Sequence, residues 1–379
     1  MGITARNDNK ASFRSLENME NRIKLMVEAG VDWDRLFVSY GYVNNPNDNL
    51  NRLDQIIALY RKYNLHPYFL LYNEATSGTP FNSPPGEPSK WTKYLALLVD
   101  RYGNDVKYWE ISFEENHPGY TFGAQPETYV NFLKDSATVI RQHDSQAKII
   151  LGRLLPSNIN YLASLLDLNA APYFDVISLG GPYQCDLYNT ATTRINAVKN
   201  ILARYGVAKP IWLTEALCVS DHDLDGASDV AGYEDQKKYI KEVYKQALAA
   251  GAKKIFQQSF VDRNGFTFVA KRMSGIMSID SAFALHKKPS YSAYQQAARD
   301  AGFPPPPPTS PTPTPTPIPG DITDDHDVPG DEVNIYDYNI LKNDFGKTNT
   351  TPGWIKADIN DDGQVNIFDY NELVENFGT

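Results

Sequence analysis

The stretch KYWEISFEEN, Lys107 to Asn116, decides how the first three hundred residues are read. Its first half is an apolar run of strand type, and its second half breaks into a loop carrying two adjacent acids, Glu114 and Glu115. A second stretch of the same build, KPIWLTEAL from Lys209 to Leu217, delivers Glu215. Two strand ends that each present a carboxylate point to paired-carboxylate chemistry, one group handling a proton while the other attacks.

Outward from these stretches the pattern repeats. RSLENMENRIKLMVEAG precedes DRLFVSY, NLNRLDQIIALYRKYN precedes HPYFLLY, and PETYVNFLKDSATVIRQHD precedes AKIILG. The alternation runs on through FDVISLG and KKIFQQSF to a last helix, KPSYSAYQQAARDAG. Seven strands are clear, and GITAR at the start is a possible eighth. Nearly continuous apolar strands between amphipathic helices imply a parallel sheet with both faces covered. Eight such units predict an α/β fold, a (β/α)8 TIM barrel over residues 1–303. An open doubly wound sheet is the alternative, weakened because no glycine-rich phosphate loop follows any strand.

With 379 residues, 42% of them hydrophobic, the chain can build one large core. Its net charge of −10 lies in the tail: from Gly320 onward fourteen acids face three lysines, so the body is close to neutral. A near-neutral body gives no electrostatic reason to expect a nucleic-acid partner. No run of eighteen apolar residues exists, so no membrane span is expected, and MGITARNDNK lacks the apolar segment of a signal peptide. The 6 histidines show no metal-ligand spacing. Cys185 and Cys218 each fall just past a strand, and those strands would be neighbours. A disulfide is open to them, but the sequence alone favours two buried thiols.

Residues 304–319, PPPPPTSPTPTPTPIP, form no core, because repeated proline fixes φ and removes donors; an extended spacer and a domain boundary follow. A ligand for an SH3-like partner is the weaker reading. Such Pro/Thr composition suits a secreted or cell-surface enzyme. Beyond it VNIYDYNILKNDFG (Val333 to Gly346) recurs as VNIFDYNELVENFG (Val365 to Gly378). In DINDDGQVNIFD, Asp358, Asn360, Asp362, Gln364, Asn366 and Asp369 stand at the calcium-ligand positions of an EF-hand loop, Gln364 through its carbonyl, with Gly363 at the sharp turn. Residues 320–379 resemble a dockerin, a small all-α calcium-binding module with paired EF-hand-like loops that docks enzymes onto cohesins. The resemblance implies Ca2+ and a cohesin-type partner, with Ile335, Tyr336, Ile367 and Phe368 either at that interface or packed inside the module. The first copy departs from the pattern, since His326 and Gly330 fall on ligand positions unless an insertion around HDVPG lets Asp321 to Asp325 supply ligands.

The body resembles clan-A glycoside hydrolases, in which the fourth strand ends in WEI-x-N-E-P and the seventh in W-x-T-E. Here these read Trp109-Glu110-Ile111-Ser112-Phe113-Glu114 and Trp212-Leu213-Thr214-Glu215. The resemblance implies a retaining glycosidase with Glu114 as acid/base and Glu215 as nucleophile. Arg35 would orient Glu215 and hold it ionised, and Tyr183 would donate a hydrogen bond near it. Two departures stand out. Phe113 replaces an asparagine that contacts the sugar 2-hydroxyl in the family, and Gly180 or Gly181 replaces a frequent histidine. Phe113 either raises the pKa of Glu114 through an apolar wall, which suits a general acid, or marks a site that has lost efficient catalysis; a carbohydrate-binding pseudoenzyme is therefore the alternative function. Glu115 remains a second choice of acid if the loop registers differently, Glu74 reads as a rim residue, and Glu110 reads as a structural ion-pair partner. Tyr40, Tyr42, Tyr72, Trp91, Phe113, Tyr120, Phe122 and Tyr183 gather near strand ends, where sugar rings stack, and 24 tyrosines fit a carbohydrate cleft, although each taken singly reads as core or rim packing before it reads as a subsite.

Overall fold

Each apolar run of the body forms a strand, and each is laid beside the previous one because a helix carries the chain back across the outside. The strands are β1 (Gly2–Ala5), β2 (Trp33–Ser39), β3 (His66–Tyr72), β4 (Tyr108–Phe113), β5 (Lys148–Leu154), β6 (Val176–Gly180), β7 (Ile211–Ala216) and β8 (Lys254–Gln257). They pair in parallel and in chain order, and β1 closes the barrel by pairing with both β2 and β8. The eighth strand thus lies in GITAR, and the open-sheet alternative is excluded by the closure. This computed structural model describes residues 2–5, 16–40, 46–73, 86–220, 230–262, 273–279, 284–302, 335–348, 357–360 and 362–375. The proline-rich residues 304–319, Asp321 to Asp325, Tyr42 and Glu74 lie outside these.

Period-two alternation divides the described side chains of β2 to β8 between two environments. Inward at the N-terminal end, Tyr68, Ile150, Val176, Trp212 and Phe256, with Trp33 and Tyr108, form an apolar floor. Its rings meet edge to face: Trp33 and Trp212 at 5.7 Å, Tyr68 and Phe256 at 5.1 Å. Two residues further along the same strands the inward side chains become polar, with Arg35, Glu110, Ser178 and Thr214. The outward faces pack on the helices α1 (Leu16–Glu28), α2 (Pro46–Tyr63), α3 (Pro88–Tyr102), α4 (Thr121–Ala124), α5 (Pro126–His143), α6 (Tyr161–Asp167), α7 (Thr190–Arg204), α8 (Val230–Ala249) and α9 (Pro289–Asp300).

The helix layer also accounts for much of the tyrosine content. Tyr94, Tyr102, Tyr129, Tyr161, Tyr239 and Tyr291 each donate a hydroxyl to a main-chain carbonyl, of Ser39, Leu50, Ile111, Phe122, Pro182 and Leu25 respectively. Long rings fill the space between helix and sheet while their hydroxyls satisfy main-chain carbonyls of strands, helices and loops. Trp91 and Phe122, two of the aromatics grouped near strand ends, are core residues, the reading favoured for each singly: both are almost wholly buried, and the Trp91 Nε1 donates to Ser136 Oγ at 2.9 Å. A short antiparallel pair, β9 (Met277–Ile279) with β10 (Leu285–Lys287), follows the barrel and was invisible to period counting, since three residues do not make a pattern.

In the C-terminal repeat, α10 (Ile335–Asp344) and α11 (Ile367–Glu375) share a small core of Leu341, Ala357, Val365 and Leu373. Among the described residues no helix is long and apolar enough to cross a membrane.

Candidate active site

The end of β4 departs from regular strand. Ser112 and Glu114 have φ of 69° and 54°, left-handed values that cost a non-glycine residue about 1–3 kcal/mol each and persist only where the surroundings hold them. The holding groups are visible. Tyr129 of α5 bridges the gap in the ladder, donating to the Ile111 carbonyl and accepting from the Gly152 amide, both at 2.9 Å. Asn116 then ties the loop to the one after β5, through the Leu155 and Asn158 carbonyls at 2.8 and 2.9 Å and the Leu155 amide at 2.8 Å.

This kink sends the two adjacent acids into different surroundings. Glu114 is partly exposed at the barrel mouth and pairs with Nη2 of Arg153. Glu115 is fully buried against Gly152, where a Cβ would overlap its Oε2, and neither of its oxygens has a hydrogen-bond partner among the described residues. Burial pushes the Glu115 carboxyl up to about 8; its own backbone amide opposes this, Glu110 adds to it, Arg153 opposes it and Glu114 adds a little more.

Glu215 ends β7 within the same mouth. Arg35 Nη1 donates to its Oε1 at 2.7 Å, while Nε and Nη2 of Arg35 hold both oxygens of Glu110 at 2.7 and 2.8 Å. Glu110 is thus the ion-pair partner expected, and also accepts from Ser178 Oγ at 2.8 Å. On the other side Glu215 Oε2 lies 3.3 Å from Arg153 Nη1 and 3.4 Å from the Gln258 amide nitrogen. Burial works against the charge of both arginines, yet the surrounding carboxylates outweigh it and raise each above the ordinary arginine value. Two wholly buried guanidiniums therefore stay charged between three carboxylates.

Tyr183, in the loop after β6, shares Nη1 of Arg153 through its hydroxyl, and burial pushes that hydroxyl up to about 12. Gly180, one of the two glycines that stand in place of the histidine frequent in the resembling family, leaves the space that the Tyr183 hydroxyl and Arg153 Nη1 fill. Gly181 lies against the Glu215 and Ala216 main chain, with no room for a Cβ. Phe113 packs edge to face with Phe37 and Tyr72, each at 5.7 Å, so Phe113 and Tyr72 form one aromatic corner beside Glu114. Tyr120 stacks on His117 at 4.4 Å, and Tyr40 packs on Trp91 and Tyr94.

Arg153 was not anticipated. The strand reading AKIILG stopped at Gly152, whereas β5 runs on to Leu154, the glycine lying inside the strand where Glu115 approaches closely. The available signal was an arginine inside IILGRLL, where a lone cation between apolar residues needs a carboxylate partner.

Cys185 and Cys218 form a disulfide with Cα atoms 4.7 Å apart, which corrects the expectation of two thiols. It ties the short 3-10 turn Cys185–Leu187, two residues beyond Tyr183, to the segment three residues beyond Glu215. Behind it, the buried Lys288 ammonium pairs with both oxygens of Asp262 at 3.1 Å and donates to Ser220 Oγ at 2.7 Å, fixing the ends of β7 and β8 to α9.

In the second C-terminal loop Gly363 takes φ of 87°, as the sharp turn requires. Asp369 reaches back to the loop start, accepting from the Ile359 and Asn360 amides at 2.8 and 3.2 Å. Asp358 accepts from Asp362 and Gly363, Asn360 from Asp362, Asp362 from Gln364, and Asn366 from Phe368. These oxygens are turned onto backbone amides, and among the described residues no group of three or more His, Cys, Asp or Glu side chains is gathered as a metal site. The donor set is nonetheless all oxygen, which suits a hard cation. Ile367 and Phe368 are exposed, which removes internal packing as their role.

No family model and no curated protein matches the chain. Solved structures do. An exo-beta-1,4-mannosidase from Opitutaceae bacterium strain TAV5 aligns over 79% of this chain and 59% of its own length, at 13% identity and a TM-score of 0.59. GH5_18 from Streptomyces cattleya, in complex with GlcNAc, aligns over 84% of this chain and 82% of its own, at 12% identity and 0.60. A beta-glucosidase from Thermotoga maritima aligns over 76% and 87%, at 15% identity and 0.55. At such identities the likeness is one of fold.

Proposed function

We propose that the barrel is a retaining glycoside hydrolase, with Glu114 as acid/base and Glu215 as nucleophile. The observation that carries this is the shared guanidinium: Arg153 contacts both carboxylates at once, so they face each other across a single side chain at the C-terminal mouth of the barrel. So close a pair suits the shorter carboxyl separation of retaining enzymes, about 5–5.5 Å, better than the wider gap that admits a water. The fold shared with a mannosidase and a glucosidase supports the same reading.

In the first half-reaction Glu114 gives its proton to the glycosidic oxygen as a Glu215 oxygen bonds the anomeric carbon and the glycosidic C–O bond breaks. In the second, a water oxygen bonds that carbon, Glu114 takes the water proton, and the bond to Glu215 breaks. Arg35, bonded to one oxygen of Glu215 and locked by Glu110, holds the nucleophile ionised and aimed. Tyr183 and the Tyr72–Phe113 corner border the sugar site.

The test is a panel of aryl glycosides and polysaccharides, followed by trapping with a 2-deoxy-2-fluoro glycoside and peptide mapping. Turnover with label on Glu215, abolished in Glu215→Ala, is expected. Binding without turnover across the panel supports the second reading, a carbohydrate-binding pseudoenzyme, which the apolar Phe113 beside Glu114 favours. For residues 320–379 we propose a dockerin-like module that binds Ca2+ through Asp358, Asn360, Asp362, the Gln364 carbonyl, Asn366 and Asp369, and meets a cohesin-type partner through a surface that includes exposed Ile367 and Phe368. Residues 304–319 would link it to the barrel. Chelator should loosen residues 354–379 by circular dichroism; an unchanged spectrum overturns the calcium reading. The disulfide suits a secreted or cell-surface protein, since such bonds persist in oxidising surroundings.

A further inference from the structure

The chemistry above gives Arg153 no task, although it is the cation that touches both carboxylates of the proposed pair. It is wholly buried and contacts Glu114, Tyr183 and Glu215, while its Nε has no partner among the described residues. We propose that Arg153 is a positioning residue that holds Glu114 in its base form, favouring the second half-reaction and substrates whose leaving group needs little protonation, such as phenol-linked glycosides. This rests on the two-carboxylate reading.

A guanidinium offers donors only, and it binds a carboxylate far more strongly than a carboxylic acid. Protonating Glu114 therefore forfeits most of that contact. In the first half-reaction Glu114 must enter protonated, so the contact opposes bond cleavage unless the departing oxygen carries its own charge well, as a phenolate does. In the second half-reaction the same carboxylate must accept a proton from water, and the contact has it ready. Arg153 Nη1 also lies near the second oxygen of Glu215, so charge returning to Glu215 as its ester breaks meets a second cation beside Arg35. The ionisable groups facing this contact are Glu110 and Glu115 of the β4 segment, Glu215 of β7, Tyr183 after β6, and Tyr120 in the loop before α4. Gly180 fixes the arrangement, since a Cβ there would crowd both Arg153 Nη1 and the Tyr183 hydroxyl.

The experiment compares the wild type with Arg153→Gln and Arg153→Lys, measuring kcat/KM against pH and against a series of aryl leaving groups. In Arg153→Gln the alkaline limb should move to higher pH, because the carboxylate form of Glu114 loses its charged partner. Dependence on leaving-group acidity should flatten, kcat for the most reactive phenol should fall about tenfold, and Arg153→Lys should stay near the wild type. Rates lowered by one common factor at every pH and for every phenol would overturn the proposal. If the wild type turns over nothing, the glycosidase reading has failed by itself, and melting decides on Arg153. The wild type should melt above Arg153→Gln at about pH 6, and the gap should close towards about pH 3 as the paired carboxylates take up protons. A gap independent of pH sinks the idea. Should Arg153→Gln not fold, Glu114→Gln takes its place in the melting series with the same two outcomes.

Discussion

The floor and the mouth of the barrel are built by the same strands, two or three residues apart, and they do opposite things. At the floor Tyr68, Ile150, Val176, Trp212 and Phe256 bury rings and aliphatic groups against one another with no charge among them. At the mouth Arg35, Glu110, Arg153 and Glu215 are equally buried, yet every one of them is ionisable. Removing apolar surface from water stabilises at about 25 cal/mol per Å2, whereas burying a charge costs several kcal/mol that its partner only repays. The floor therefore carries stability, and the mouth spends some of it to hold charges at fixed positions. The left-handed Ser112 and Glu114 belong to the mouth as well.

If that division holds, activity and stability should separate by mutation. Glu215→Gln is the largest expected effect on rate: kcat/KM should fall at least about 1000-fold, more than 4 kcal/mol of barrier. Its melting temperature should barely move, because Arg35 keeps Glu110 and Arg153 keeps Glu114. A collapse in stability would show that the mouth also holds the fold together. Trp212→Ala is the converse. Its ring meets Trp33, Tyr68, Tyr108 and Phe256, so denaturant titration should show a loss of about 3–5 kcal/mol. Activity per folded molecule should stay within several-fold of the wild type.

The same contrast explains what could be read in advance. Floor and outer faces are written in period two and period 3.6, so strands such as HPYFLLY were bounded to the residue as β3. The mouth is written in exceptions. The separation of Glu114 from Glu115 depends on two left-handed residues that no periodicity encodes, and the register shift between Leu213 and Ala216 sits around Glu215 itself. Resemblance could pick Glu114, but it could not show that Glu115 is walled in against Gly152, or that the same glycine lets β5 continue to Arg153. The cysteines were seen to end neighbouring strands; their pairing needed the turn after Gln184, which has no sequence period.

That disulfide joins the two regimes, and its loss should disturb both. With its cysteines 33 positions apart in the sequence, the double replacement Cys185→Ser, Cys218→Ser should cost about 3–4 kcal/mol through the freed unfolded chain. Because the tie lies next to Tyr183 and Glu215, kcat should also fall several-fold while the floor is untouched. A stability loss with unchanged kcat would mean that Lys288 and Asp262 suffice to hold that side of the mouth.

The most gradual effect belongs to Glu115, and its sign runs against the habit of carboxylates. Its folded value is raised from 4.5 to about 8 by burial, so between those values the folded chain keeps a proton that the unfolded chain has released. Stability must then fall as pH rises from about 4.5 to about 8, by up to about 1.4 kcal/mol per unit from this group alone, and level off above. Glu115→Gln keeps the shape and cannot ionise. Its melting temperature should match the wild type at about pH 4.5 and rise above it steadily towards pH 8. Parallel curves would mean that the Glu115 carboxyl titrates alike in the folded and unfolded chains. It would then face water rather than lie in the wall.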